Sequence, residues 1–224
     1  MKILFLGTGA ADWNILEHRE MEGFRRNASA LIDGQLLIDP GPNVLDALKT
    51  FKIDPSNIKY IINTHKHCDH YCEETLSRLK NAAFYEFDFN DTKTFGKYSV
   101  TALKGNHSTC DKVTHFIISD SEKNLFYGLD GAWLLYKEVE AIKQTSIDYA
   151  VLDATIGNIS GDYRIFEHNN LNMVLEMKNT LAPYIKRFCI SHMARTLHES
   201  HSLLENQMKE HGVEVAFDGY ETEI

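Results

Sequence analysis

Long apolar runs are missing from this sequence. No stretch approaches the roughly 20 apolar residues that span a bilayer, so no membrane partner is expected. The apolar opening Met1-Lys2-Ile3-Leu4-Phe5-Leu6 is stopped by Gly7-Thr8-Gly9. It falls short of the about 7–15 residues of a secretory core and reads as a first β-strand. Proline is scarce, at four residues, and no Pro- or Ser-rich linker, internal repeat or low-complexity tract divides the chain. A single domain over residues 1–224 is therefore expected, in the cytoplasm. Basic residues are the minority, 23 against 32 acidic, for a net charge of -9. That balance works against a nucleic-acid partner, whose sequence-independent affinity comes from Lys and Arg meeting phosphates. The four cysteines, Cys68, Cys72, Cys110 and Cys189, form no CxxC pair and no zinc-ribbon spacing. They read as free thiols, with Cys68 set apart by its neighbours.

What is present is a hydrophobic content of 43% broken into short runs. Runs rich in Ile, Val, Leu, Phe and Tyr predict strands at 2–7, 29–32, 35–39, 60–64, 83–86, 98–104, 114–119, 124–128, 149–153, 187–191 and 214–217. Asp33-Gly34 between two of them is a hairpin signal. Helical spacing predicts helices over 43–51, 71–79, 132–145, 170–181 and 200–211, with Pro183 beyond the fourth and Gly212 ending the fifth. Strands and helices mixed from end to end imply a layered α+β or α/β domain. The charged segment 12–26, with Trp13 and Phe24 as anchors, reads as a surface excursion beside the active face or as a solvated loop.

The chemistry lies where the apolar runs end. Leu36-Leu37-Ile38 ends in Asp39, Ile61-Ile62-Asn63-Thr64 in His65, and the run after Val100 leads to His107. Phe126-Tyr127-Gly128-Leu129 ends in Asp130, Val151-Leu152 in Asp153, and Cys189-Ile190-Ser191 in His192. If these strand ends share one edge, all six side chains meet at one rim, where open α/β sheets place their sites. Between them, His65-Lys66-His67-Cys68-Asp69-His70 packs four metal-capable residues into six. They cannot all reach one ion from an extended strand. A tight loop could send His65 and His67 one way and Asp69 and His70 the other, as a site with ions about 3.5–4 Å apart requires.

The string Thr64-His65-Lys66-His67-Cys68-Asp69-His70 resembles the THxHxDH signature of the metallo-β-lactamase superfamily. Asp39 in Leu37-Ile38-Asp39-Pro40-Gly41 resembles the first motif, and His107, Asp130 and His192 resemble the later ones in order. The resemblance implies a four-layer αβ/βα sandwich of two mixed sheets flanked by helices. It also implies a dinuclear hydrolase holding zinc or manganese, or iron. His65, His67 and His107 would bind one ion and Asp69, His70 and His192 the other, with Asp130 bridging and Asp39 orienting the cluster. A bridging water or hydroxide would be the nucleophile.

Asp130 favours a phosphodiesterase over a β-lactamase. The segments Val151-Leu152-Asp153, Glu167-His168-Asn169, Ile190-Ser191-His192 and Phe217-Asp218-Gly219 are similar to the phosphoribosyl 1,2-cyclic phosphate phosphodiesterase family. That similarity implies a small or cyclic phosphodiester as substrate, with Asp69 and His168 as catalytic side chains. The chain departs from that family in lacking cysteine within 12–26 and in carrying Arg195 where a histidine is usual, so an accessory zinc site is not expected. A tRNA 3′-processing endoribonuclease and a lactone or thioester hydrolase share the ligand set. A ligand-depleted sensor does not fit, because no ligand is missing. His198, His201 and Arg195 read either as pocket-lining or as surface residues, and His18, His115 and His211 as structural or solvated. A homodimer is compatible with the sequence.

Overall fold

Residues Lys2–Gly7 bury one face more than the other, as a strand on a core should, and form β1. The computed structural model describes residues 1–224, which fall into two units, Met1–Glu86 with Ala216–Ile224, and Phe87–Val215. The architecture is α+β, two mixed sheets with flanking helices, as the sequence resemblance implies.

In the first unit β1 is followed by the four-residue helix α1 (Ile15–His18), β2 (Ser29–Ile32), β3 (Leu36–Ile38), α2 (Val44–Thr50), β4 (Tyr60–Ile62), α3 (Glu73–Arg78) and β5 (Ala83–Tyr85). Asp33 and Gly34 take φ of 49° and 69°, the left-handed pair that a tight β2–β3 hairpin requires. β3, β4 and β5 run parallel, with Ile38 opposite Ile62, so their C-terminal ends share one edge. Val44, Ala47 and Leu48 of α2 pack with Leu6, Leu31, Leu37 and Ile61.

The second unit contains β6 (Thr92–Phe95), β7 (Tyr98–Lys104), β8 (Thr114–Ser119), β9 (Asn124–Gly128), α4 (Tyr136–Thr145), β10 (Ile147–Asp153), α5 (Leu171–Leu181), β11 (Ile185–Ser191), α6 (His201–Glu210) and β12 (Val213–Val215). β13 (Glu221–Glu223) returns to the first unit and pairs with β1. β9, β10, β11 and β12 are parallel, while β6, β7, β8 and β9 alternate direction. β7 therefore points the same way as β9, and its end joins theirs. Phe126, Leu152, Val174, Ile190 and Met208 are among the core residues that α5 and α6 cover.

Several expected boundaries shift. The helix expected from 132 starts at Tyr136, because Trp133 sits at a φ of 53° that no helix admits. The helix expected from 71 starts at Glu73 after an extended Cys72. β6 and β13 are absent from the expectation; both are polar edge strands without an apolar run to announce them. Segment 12–26 is not simply solvated. Trp13, Arg25 and Arg26 are buried, and Arg25 Nη1 donates to Thr8 Oγ1 at 2.6 Å and Ala216 O at 2.8 Å. The Arg26 amide donates to Asp218 Oδ2 at 2.7 Å, which ties residues 216–224 into the first unit.

Candidate metal centre

The two parallel strands β3 and β4 deliver the first group of side chains. Asp39 follows β3 at a φ of 60° and is completely buried. Its Oδ1 accepts from the Thr64 amide at 2.7 Å, Thr64 Oγ1 at 2.9 Å and Asn63 Nδ2 at 3.0 Å. Its Oδ2 lies 2.9 Å from His70 Nδ1. Asp39 thus staples the end of β4 to the loop that follows, and His65 and His70 end with ring centroids 4.5 Å apart. His67 stands 4.5 Å from His65, and Asp69 Oδ2 is 3.3 Å from His70 Nε2. The loop passes so close to Gly41 that a Cβ there would lie 2.2 Å from the Asp69 carbonyl oxygen.

In the second unit the strand register does the same work. Gly128 pairs with Leu152 and Asp153 with Ser191, so Asp130, Asp153 and His192 emerge together. Asp130 and His192 take φ of 56° and 64°, turning their side chains inward where a strand would end. Ligand-capable atoms of Asp130, Asp153, His168 and His192 all lie within 4.8 Å of one another. His192 Nε2 is 3.3 Å from Asp130 Oδ2. Thr155 Oγ1 lies 2.8 Å from His192 Nδ1 and 2.9 Å from Asp153 Oδ2. His107 is buried three residues past β7, with its Nδ1 3.1 Å from both the carbonyl oxygen and Oε2 of Glu167.

These surroundings fit metal ions. In His65, His70, His107 and His192 an oxygen meets Nδ1 (Thr64 Oγ1, Asp39, Glu167 and Thr155 respectively). An oxygen at Nδ1 sets the tautomer and ring angle and leaves Nε2 a lone pair able to bind a metal, the outer support that metal-binding histidines use; in His107 that nitrogen lies 3.0 Å from Thr109 Oγ1.

His168 is held differently. Its Nδ1 lies 3.0 Å from Asp153 Oδ2 and 3.6 Å from Asp130 Oδ1. Burial works against its charged form, but the Asp153 and Asp130 carboxylates carry its pKa above the usual histidine value. Burial likewise opposes ionisation of Asp153, yet His168 and His192 hold its carboxyl below the usual range. His107 goes the other way: desolvation lowers its pKa and favours the neutral, metal-binding form.

Asp153 marks a strand end in the sequence, but its role as the buried partner of His168 and His192 went unread there. Glu167 and Thr155 also escaped notice; only their places beside His168 and Asp153 hinted at them. His198 Nε2 lies 2.6 Å from Ala154 O and lines a cavity of about 300 Å³ with Asn158, Leu204 and Gln207. His201 opens α6, and Arg195 is half-buried. Cys68 is exposed, Cys72 and Cys110 are half-buried, Cys189 is buried, and none of the four forms a disulfide. No helix is long and apolar enough to cross a membrane.

Buried imidazoles and carboxylates at the ends of mixed-sheet strands are the residue types that can hold metal ions. Residues 23–73 match the family model of the Metallo-beta-lactamase superfamily. An uncharacterized protein of Methanocaldococcus jannaschii is 26% identical over 129 residues, covering 54% of this chain and 47% of that protein. The match thus spans about half that relative's length. Three solved structures share the fold. A diphosphatase from the PhnP family has a TM-score of 0.74 at 16% identity, covering 100% of this chain and 97% of its own. Zinc-bound PqqB from Methylobacterium extorquens scores 0.75 at 15% identity, covering 100% of both. Human tRNase Z, short form, scores 0.73 at 15% identity, covering 100% of this chain and 99% of its own.

Proposed function

We propose that this chain is a dinuclear metal-dependent phosphodiesterase acting on a small or cyclic phosphodiester. In this reading His65, His67 and His107 would hold one ion and Asp69, His70 and His192 the other, with Asp130 as a further ligand. The ions, zinc, manganese or iron, supply an acidified water and neutralise charge on the phosphoryl oxygens when bound. Asp39, Thr155 and Glu167 keep the imidazoles aimed, and Asp153 holds the proton of His168 at Nδ1. His168 then orients or protonates the leaving oxygen.

One observation carries this reading, the His168–Asp153 pair at 3.0 Å beside His192 and Asp130. It supplies an acid next to the ligand set, which a purely structural metal site has no use for. The diphosphatase of similar fold acts on phosphorus, which agrees with a phosphoryl substrate. The tRNase Z fold is about equally similar, so the fold does not choose between them. The net charge of -9 favours the small substrate over tRNA.

The test is metal analysis together with hydrolysis of bis(p-nitrophenyl) phosphate, small cyclic phosphates, precursor tRNA and lactones. About two ions per chain and turnover of the phosphodiesters are expected. His168→Ala should lower turnover by about 10²–10⁴-fold with metal content unchanged. Full activity without metal, or cleavage confined to precursor tRNA or to lactones, refutes the proposal.

A further inference from the structure

His115 sits on β8, eight residues past His107 and fifteen before Asp130 in sequence. It is 1% exposed, as is Glu138 on α4. Both ring nitrogens meet acceptors: Nδ1 lies 2.6 Å from Glu138 Oε1, and Nε2 lies 3.1 Å from Leu129 O. A neutral imidazole carries one N–H, so serving both acceptors takes the doubly protonated ring. Burial disfavours that form, but the adjacent Glu138 carboxylate raises the ring's pKa above the ordinary value.

The position of this ring matters more than its charge. The Leu129 carbonyl belongs to the peptide that enters Asp130, whose φ of 56° is the turn that brings its carboxylate inward. Fixing that carbonyl fixes the plane on which the turn is built. The ring also abuts both glycines next to the ligand loops. A Cβ on Gly131 would lie 2.7 Å from His115 Cε1, and one on Gly105 would lie 2.8 Å from Nε2. One imidazole is therefore wedged beneath the backbone of Gly105-Asn106-His107 and that of Leu129-Asp130-Gly131. Glu138 anchors it from the far side. Glu138 is itself locked, because its Oε2 accepts the Leu135 amide at 2.7 Å and closes the first turn of α4.

We propose that His115, held by Glu138, is a positioning residue that sets the backbone carrying Asp130 and thereby the metal affinity of the centre. The proposal rests on the reading of Asp130 as a metal ligand. The His115–Glu138 couple touches neither substrate nor metal; it acts through the Leu129–Asp130 peptide. A polar pair fully enclosed in an otherwise apolar core costs desolvation, and hydrophobic residues of similar volume would fill the space with no such cost. Its presence is accounted for if the direction of Asp130 depends on it.

The test uses the full-length protein, stripped of metal and titrated with Co²⁺ against a chelating dye. The visible spectrum of the loaded protein is recorded at the same time. His115→Phe keeps a ring but removes both donors. Glu138→Gln is isosteric, keeps the Leu135 amide's acceptor and loses the charge. Ile117→Ala, on the same strand and in the apolar core, is the control for simple loss of stability. His115→Phe is expected to weaken Co²⁺ binding by tenfold or more and to shift the visible bands. Glu138→Gln should shift both in the same direction by less, while folded Ile117→Ala keeps wild-type affinity and bands. Wild-type affinity and bands in folded His115→Phe overturn the proposal. If His115→Phe does not fold, unchanged affinity and bands in Glu138→Gln overturn it. Wild-type protein that binds no Co²⁺ refutes the metal centre instead, which separates the two failures.

Discussion

Replacing Asp39 by alanine removes a carboxylate that organises the first group of metal-capable side chains, and its cost can be worked from its contacts. Three donors converge on Oδ1, and His70 Nδ1 meets Oδ2. The position is completely buried, so the stranded Thr64 amide and His70 ring nitrogen find no ready water. Leaving a buried donor without its acceptor costs about 1–3 kcal/mol. Alanine also keeps the φ of 60° at a strain of about 1–2 kcal/mol, which Asp and Asn bear more easily. A loss of about 4 kcal/mol is expected, a large part of the ~5–15 kcal/mol that holds a typical domain folded. Asp39→Asn separates the terms. It retains an oxygen for Thr64 and tolerates the backbone, but turns an amide toward His70, so about half the loss is expected. Urea unfolding of the metal-free protein, followed by circular dichroism, reads both values. Metal titration of the folded variants should show affinity reduced about 10–100-fold. Asp39→Ala that unfolds within about 1 kcal/mol of wild type and binds metal as tightly would refute the assignment of Asp39 as the staple.

Three further outcomes are expected. Gly41→Ala places a Cβ 2.2 Å from the Asp69 carbonyl oxygen, so it should push the loop aside and reduce metal content per folded chain; unchanged content would contradict the close approach. Chelation should lower the melting temperature, since a ligand at 100 times its Kd stabilises by about 2.7 kcal/mol; a melting curve indifferent to chelator would count against metal binding to the native state. In the metal-free protein the folded pKa of His115 lies above 6.5, so its contribution is complete below about pH 6.5 and is lost as pH rises through the raised value. The stability difference between wild type and His115→Phe should therefore shrink over that window, and a difference constant with pH would show that the ring does not carry the charge.

Local residue chemistry was enough to announce most of the elements and half of the centre's logic. β2, β7, β8 and β9 coincide with runs of apolar, β-branched and aromatic residues. Asn170 caps α5 by accepting the Met173 amide, at the boundary the spacing predicts. Metal-capable residues at run ends were equally visible, because such side chains have few other reasons to follow six apolar strands.

Other features arise only once the strands are paired. Parallel pairing of β9, β10 and β11 gathers Asp130, Asp153 and His192, and no local signal encodes register between strands far apart in sequence. Asp153 became a partner of His168 and His192 only because β10 lies between the strands leading to Asp130 and His192. His115 looked like an ordinary buried or solvated histidine until α4 brought Glu138 against it and the β9 turn laid Leu129 O on its other nitrogen. Sequence determines which side chains can bind metal, since that is a property of each residue. Which of them are ligands, which hold the ligands, and which hold the holders depends on distances of about 3 Å between residues far apart in the chain, and only folding sets those.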